Sequence, residues 1–158
     1  MDLLQAIDQL AEEAHRGQVD KSGVPYIEHP RAVAALVRQW GGTVEQQMAG
    51  LLHDVVEDTP VTLEYLAERG VPPQVVRMVD ALSRRPEESH EQYLARLIRT
   101  PEAILVKRAD VTHNASPARL ARLDEATATR LRAKYARTLR FLDAAQASSA
   151  AGDDASVS

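Results

Sequence analysis

The stretch Leu51-Leu52-His53-Asp54-Val55-Val56-Glu57-Asp58 sets four ionisable side chains into an otherwise apolar run. Gly41-Gly42 precedes it, Thr43 is a good N-cap, and Asp58, Thr59 and Pro60 close it, so one helix is expected from Thr43 to about Val56. Toward the N-terminus, Leu3, Ile7, Leu10, Ala11 and Ala14 recur at helical spacing and stop at Gly17, which predicts a first helix over 2–16. Gln18 to Pro30 carries Gly23, Pro25 and Pro30 with little periodicity, predicting a loop that delivers His29 to the mouth of a helix over 31–40. Toward the C-terminus, Thr62 can cap a short helix through Arg69, and Pro72-Pro73 can open one ending near Leu82. A further helix is expected over 89–99, and Thr100, Pro101 and Glu102 begin one that continues toward Asn114. Asp124 can cap a long amphipathic helix carrying Leu131, Tyr135, Leu139 and Leu142. No alternating strand pattern, internal repeat or long linker interrupts the series. The expectation is an all-α bundle of about eight helices, forming a single domain over 1–146, with a small, polar, disordered tail over 147–158.

Composition narrows the chemistry. The chain has 158 residues, enough for one domain with a real core. It holds no apolar run long enough to cross a membrane and lacks the basic, apolar and small-residue order of a signal peptide, so the expectation is a cytoplasmic protein without a membrane partner. With no cysteine, disulfides, thiolate catalysis and thiolate zinc sites are excluded, which leaves His and carboxylates for any metal. A net charge of -4 gives no general field that would attract nucleic acid, although a small anion needs only a few local cations. Lys21, Arg84, Arg85, Lys107 and Arg108 are available for that.

His53 and Asp54 are seldom buried without compensation, because removing an ion from water costs far more than one apolar contact returns. A cation lying between their directions on a helix satisfies both. Glu57 stands one turn beyond His53 and Asp58 one turn beyond Asp54, where a carboxylate can take a proton from water or hand one to a leaving group. Glu57 is the first choice for that role, with Asp58 assisting. Two further ligands are needed, and His29, before Pro30, and Asp110, at the end of the apolar run Ala103-Ile104-Leu105-Val106, are the best candidates. Two imidazoles and two carboxylates make an oxygen-rich set that suits Mn²⁺ better than structural zinc, with other divalent ions left open. Asn114 falls on the same face as Asp110, and His113 is read as a residue that orients a ligand. His15 is read as orienting the loop after the first helix, His90 as a surface residue and Trp40 as helix-end packing.

The segments Ala14-His15-Arg16-Gly17-Gln18, Lys21-Ser22-Gly23, Pro25-Tyr26-Ile27-Glu28-His29-Pro30, Leu51 to Thr59, Tyr93-Leu94 and Val106-Lys107-Arg108-Ala109-Asp110 with His113-Asn114 resemble the stand-alone hydrolases of the RelA/SpoT group. That group includes the metazoan SpoT homologue and the bacterial small alarmone hydrolases. The resemblance implies an HD phosphohydrolase domain in which His29, His53, Asp54 and Asp110 bind Mn²⁺ while Glu57 and Asp58 handle the hydrolytic water. It also implies a small-molecule nucleotide substrate, guanosine tetraphosphate or pentaphosphate, whose 3′-pyrophosphate is removed to leave GDP or GTP. Lys21, Ser22 and Asn114 match positions that contact the nucleotide in such proteins, and Tyr135 is a further candidate.

Two positions depart from the family. Asp20 stands where an Arg usually holds the nucleotide, and Val111-Thr112 where Arg-Leu is common. Reversing the charge at residue 20 weakens attraction to phosphate and removes a planar cation able to stack on a base. An HD phosphohydrolase for a related compound, such as an adenine alarmone or NADPH, and a non-catalytic metal-dependent nucleotide sensor therefore stay open as alternatives. Self-association into a homo-oligomer is also open.

Overall fold

A computed structural model describes the backbone of residues 2–157 and the side chains of 2–149; Met1 and Ser158, the outer ends of the expected domain and tail, lie outside the described residues. The helices are α1 (Leu3–Ala14), α2 (Glu28–Gln39), α3 (Val44–Leu52), α4 (Val55–Asp58), α5 (Leu63–Glu68), α6 (Pro73–Leu82), α7 (His90–Leu97), α8 (Pro101–Asn114), α9 (Pro117–Leu120) and α10 (Glu125–Val157). No strand forms among the described residues; a lone bridge pairs Val19 with Pro25. Among the described residues no helix is long and apolar enough to cross a membrane.

Helix starts follow local chemistry. Asp2, Thr43 and Ser89 each accept a hydrogen bond from the backbone three residues on, while the Gln at that position bonds back to the cap. Thr62 caps α5 through Tyr65 N, and Asp124 accepts from Thr127 N ahead of α10. Gly17, at φ 81°, takes the left-handed conformation that turns the chain away after α1.

Helix α3 lies at the centre, packed on α1, α2, α6 and α8. Its Met48, Ala49 and Leu52 meet Val33 and Val37 of α2, Val75, Met78 and Val79 of α6, and Ala103 and Val106 of α8 in one core that extends from Ile7 to Leu142. Gly50 permits the closest approach, since a Cβ there would stand 3.2 Å from Ala34 Cα and 3.3 Å from Ala34 N.

Several expectations need correction. The third helix does not continue to Val56 but breaks at His53-Asp54, because His53 Nδ1 donates to Gly50 O at 2.7 Å. That carbonyl is the one a continuing α-helix would offer to Asp54 N–H. The second helix starts at Glu28 rather than 31, so His29 sits inside its first turn, and Pro30 is tolerated there because first-turn N–H groups have no intrahelical partner. The expected all-α bundle of about eight helices agrees with the structure, whose ten helical segments among the described residues include the single turns α4 and α9. Helix α10 runs to Val157 through the stretch expected to be a disordered tail; Ala144, Ala145 and Ala147 favour helix without producing the apolar periodicity by which helices are read. Trp40, expected to pack at a helix end, is 42% exposed.

Gly50→Val should destabilise the fold by about 1–3 kcal/mol, because its branched side chain meets backbone rather than a side chain that can turn away. Urea unfolding measures this, and a loss below about 0.5 kcal/mol would mean that α2 and α3 part freely.

Candidate active site

The break after Leu52 lets His53 and Asp54 point to one side of α3, where α2 brings His29 and α8 brings Asp110. His29 Nε2 lies 2.9 Å from Asp110 Oδ1 and 3.9 Å from Asp54 Oδ2; His53 Nε2 lies 3.0 Å from Asp54 Oδ2 and 3.3 Å from Asp110 Oδ1. Both imidazoles are buried, each 2% exposed. The structure thus gathers the four ligand candidates, distant in sequence, around one point.

The outer atoms of these side chains are held from behind. His53 Nδ1 donates to Gly50 O, which aims Nε2 at the carboxylates; Nε2 is itself buried and, though close to oxygens of Asp54 and Asp110, makes no well-aligned hydrogen bond with either. His29 Nδ1 lies 2.7 Å from His113 Nδ1, with the two rings stacked at 4.9 Å. Burial, and then the neighbouring His29, lower the His113 pKa to about 4, so a neutral His113 can accept a hydrogen bond from His29 Nδ1–H and leave His29 Nε2 facing Asp110. Asn114 Nδ2 donates to Asp110 Oδ1 at 3.1 Å, and Lys107 Nζ to Asp110 Oδ2 at 3.0 Å. Lys107 also lies over the Tyr93 ring, 5.2 Å from its centroid. Tyr26 Oη donates to Asp54 Oδ2.

Electrostatics state what the cluster requires. Burial opposes charge on His53, but Asp54 and Asp110 outweigh it and raise its pKa well above the usual imidazole value. Burial likewise opposes ionisation of Asp110, yet Lys107 and His53 hold its pKa well below the ordinary carboxyl range. Two carboxylates in this setting demand positive charge at the bare imidazole nitrogens, from a proton or a cation. The orphaned Nε2 of His53 and the hard oxygen donors around it fit a divalent cation.

The acid candidates stand beside this centre: carboxylate oxygens of Asp54, Glu57 and Asp58 lie within 4.8 Å of one another. Asp58 N bonds Asp54 O at 2.9 Å, which preserves the one-turn relation between these two despite the helix break. Glu57 is fixed by Arg84 N, which donates to its Oε1 at 2.6 Å. Burial, then the charges of Asp54 and Glu57, push Asp58 up to about 6. Burial also raises Glu57, against the hydrogen bond from Arg84.

Two adjoining cavities open from the centre. One, of about 240 Å³, is walled by His53, Asp54, Glu57, Asp58 and Asp110 and faces Arg84, Lys107 and Lys134. The other, of about 340 Å³, is lined by Asp20, Lys21, Ser22, Arg119, Arg122 and Leu131, and shares Tyr26, Asn114 and Tyr135 with the first. All four substrate-binding candidates therefore border this cleft, although Asn114 also spends a donor on Asp110. His90, expected at the surface, lines the first cavity and bonds Thr138 Oγ1 at 3.1 Å. Arg85 and Arg108 turn elsewhere, to Asp80 and to Asp143 with Gln146. Buried His15 bonds Gln18 at 2.9 Å and packs on Tyr26. Tyr26, Lys134, Arg119 and Arg122 were not singled out for the cleft from the sequence; only Tyr26, three residues before His29, carried a local hint.

Residues 8–138 match the HD domain family. The chain is 40% identical over 116 residues to the guanosine-3′,5′-bis(diphosphate) 3′-pyrophosphohydrolase of Haemophilus influenzae, covering 66% of this chain and 17% of that one. It is 39% identical to the bifunctional (p)ppGpp synthase/hydrolase SpoT of Escherichia coli, covering 66% and 16%. It is 37% identical to a GTP pyrophosphokinase of Streptomyces coelicolor, covering 67% and 14%. The chain thus spans less than a fifth of the length of these relatives. Its fold is similar to a solved structure described as a metazoan ortholog of SpoT that hydrolyzes ppGpp, with a TM-score of 0.74, 22% identity, and coverage of 88% of this chain and 84% of that one.

Two outcomes follow from the charge arrangement. Asp58 binds its proton more tightly in the fold, at about 6 against 3.8, so its contribution is present below the unfolded value and is lost as pH rises through the folded one. Asp58→Asn should therefore flatten the fall of Tm between pH 4 and pH 6; an unchanged slope would assign that titration to another group. Lys107→Met strips a buried partner from Asp110 and should cost about 3 kcal/mol in urea unfolding, part of it restored by a divalent cation. A loss near zero would show that Asp110 is held by His29 and Asn114 alone.

Proposed function

Because this chain belongs to the HD domain family, we propose that it is a metal-dependent phosphohydrolase that removes the 3′-pyrophosphate of guanosine 3′,5′-bis(diphosphate) and of its pentaphosphate analogue, leaving GDP or GTP. The observation that carries the reading is the convergence of His29, His53, Asp54 and Asp110 on one point, with an unpartnered Nε2 on His53, at the end of a cleft that holds two further acids and several cations. The names of the relatives support the substrate.

His29, His53, Asp54 and Asp110 would hold the cation, and the oxygen-rich set favours Mn²⁺. When bound, a divalent cation supplies Lewis acidity toward a phosphate oxygen and makes water more acidic. Every other part of the reaction falls to side chains. Arg84, Lys107 and Lys134 face the acids across the first cavity and draw the doubly charged pyrophosphate into it. Glu57, fixed by Arg84 N, accepts the proton of the attacking water as its oxygen joins phosphorus. Asp58, whose carboxyl is raised by burial and by the charges of Asp54 and Glu57, is the acid placed to give a proton to the ribose 3′-oxygen as the P–O bond breaks. Tyr26 positions Asp54, and Lys21, Ser22, Asn114 and Tyr135 receive the nucleoside in the second cavity. Two acids in this geometry favour an enzyme over a nucleotide sensor, which has no use for a proton acceptor and a proton donor beside a phosphate.

Incubation with guanosine 3′,5′-bis(diphosphate) and Mn²⁺ should release GDP and pyrophosphate, and chelation should stop it. Glu57→Gln keeps an acceptor for Arg84 N, so it should retain the Mn²⁺-induced rise in Tm while turnover falls roughly 10²- to 10⁴-fold. Asp110→Asn should lose both. Activity confined to an adenine alarmone or NADPH would move the substrate, and turnover that survives Glu57→Gln would remove Glu57 from its role.

A further inference from the structure

Asp20, the position at which the family's nucleotide-binding Arg is missing, does not leave the second cavity negative. Its carboxylate accepts from Ser22 N at 2.8 Å and Val24 N at 3.0 Å, both through Oδ1, and so folds the 20–24 turn that presents Lys21 and Ser22. The free oxygen, Oδ2, stands 3.9 Å from Arg119 Nη1, across the cavity mouth from α9. Both partners are shielded, with side chains 13% and 24% exposed. Asp20 is the ion-pair partner of Arg119 among the described residues, so the guanidinium keeps most of its five donors for something else. Lys21, Arg119 and Arg122 line this cavity against the single carboxylate of Asp20, an excess of positive charge over a wall of Leu123, Leu131 and Tyr135. The first cavity is different in kind, since its three cations face four acids.

From this asymmetry we propose that Arg119, positioned by Asp20 and seconded by Arg122, grips a phosphate on the part of the substrate remote from the cleaved bond: the 5′-phosphates of a nucleotide whose 3′-phosphates lie at the metal centre. The inference rests on the proposed function for the placement of the 3′ end. The two cavities join at Tyr26, Asn114 and Tyr135, so a ligand anchored at the His53-Asp54 end runs on into the Arg119 end. A planar guanidinium meets a phosphate with two parallel, charge-assisted hydrogen bonds, whereas a neutral 5′-hydroxyl leaves that charge unused. Asp20 acts here as a positioning residue: it takes over the turn and hands the cation role from the 20–24 loop to α9.

The test compares guanosine 3′,5′-bis(diphosphate) with guanosine 3′-diphosphate carrying a free 5′-hydroxyl, by calorimetric binding without added metal and by turnover with Mn²⁺. Wild type should bind the first roughly tenfold or more tightly than the second. Arg119→Gln should bring the ratio to within about twofold, and Arg119→Lys, which keeps the charge, should retain most of the preference; thermal unfolding of each variant checks that the fold persists. A ratio near one in wild type, or a ratio that Arg119→Gln leaves intact, overturns the assignment. Binding with the expected ratio but no turnover would uphold Arg119 and sink the hydrolase reading, while neither metal-free binding nor turnover of either compound would sink both; where binding needs the metal, the kcat/KM ratio of the two compounds with Mn²⁺ is read in its place.

Discussion

Two carboxylates, Asp54 from the break between α3 and α4 and the buried Asp110 from α8, share one point in space with two imidazoles, and everything else in the domain serves that arrangement. Like charges this close are tolerated only if positive charge stands between them. Lys107 supplies part of it at Oδ2 of Asp110, and the imidazole nitrogens attract the rest. A hydrophobic core alone would expel such groups, so the core is built to hold them in place. Helix α3 crosses its centre, and the groups behind the site, the Gly50 carbonyl and the side chains of His113, Asn114 and Tyr26, fix each ring or carboxylate before any ligand arrives.

The break at His53-Asp54 is where packing becomes chemistry. Up to Leu52 the helix buries one apolar residue after another; beyond it, the His53 ring takes Gly50 O and the chain restarts as the single turn of α4. Asp54 is thereby turned toward Asp110, while Glu57 and Asp58 fall at the edge of the cleft. The same glycine that supplies the carbonyl also lets α2 close on α3, which carries His29 into reach. One residue therefore couples the stability of the bundle to the shape of the site.

Charge is divided along the cleft. At the metal end four acids face three cations, a setting for proton transfer and for a metal ion; at the far end cations dominate, a setting for holding an anion. Asp20 sits at that far end without making it negative: its Oδ1 closes a turn with Ser22 N and Val24 N, and its Oδ2 stands 3.9 Å from Arg119 Nη1.

The all-α class, most helix starts and the four ligand candidates were legible in the sequence because caps, prolines and 3.6-residue periodicity are local, and because His and Asp inside apolar runs require compensation wherever they fold. The early start of α2, the single turns α4 and α9 and the helical course of 147–157 were not, since a side chain taking a backbone carbonyl, or an alanine-rich helix without an apolar stripe, leaves no periodic trace. His90 reads as a surface residue and Lys134 carries no local signal, and only the packing of α7 and α10 over α8 turns them into the wall of a cavity. What the chain determined by itself was which residues need partners; which partners they obtain, His113 for His29, Lys107 for Asp110 and Arg119 for Asp20, was decided in three dimensions, because the direction and depth of a side chain depend on neighbours that sequence spacing does not bring together.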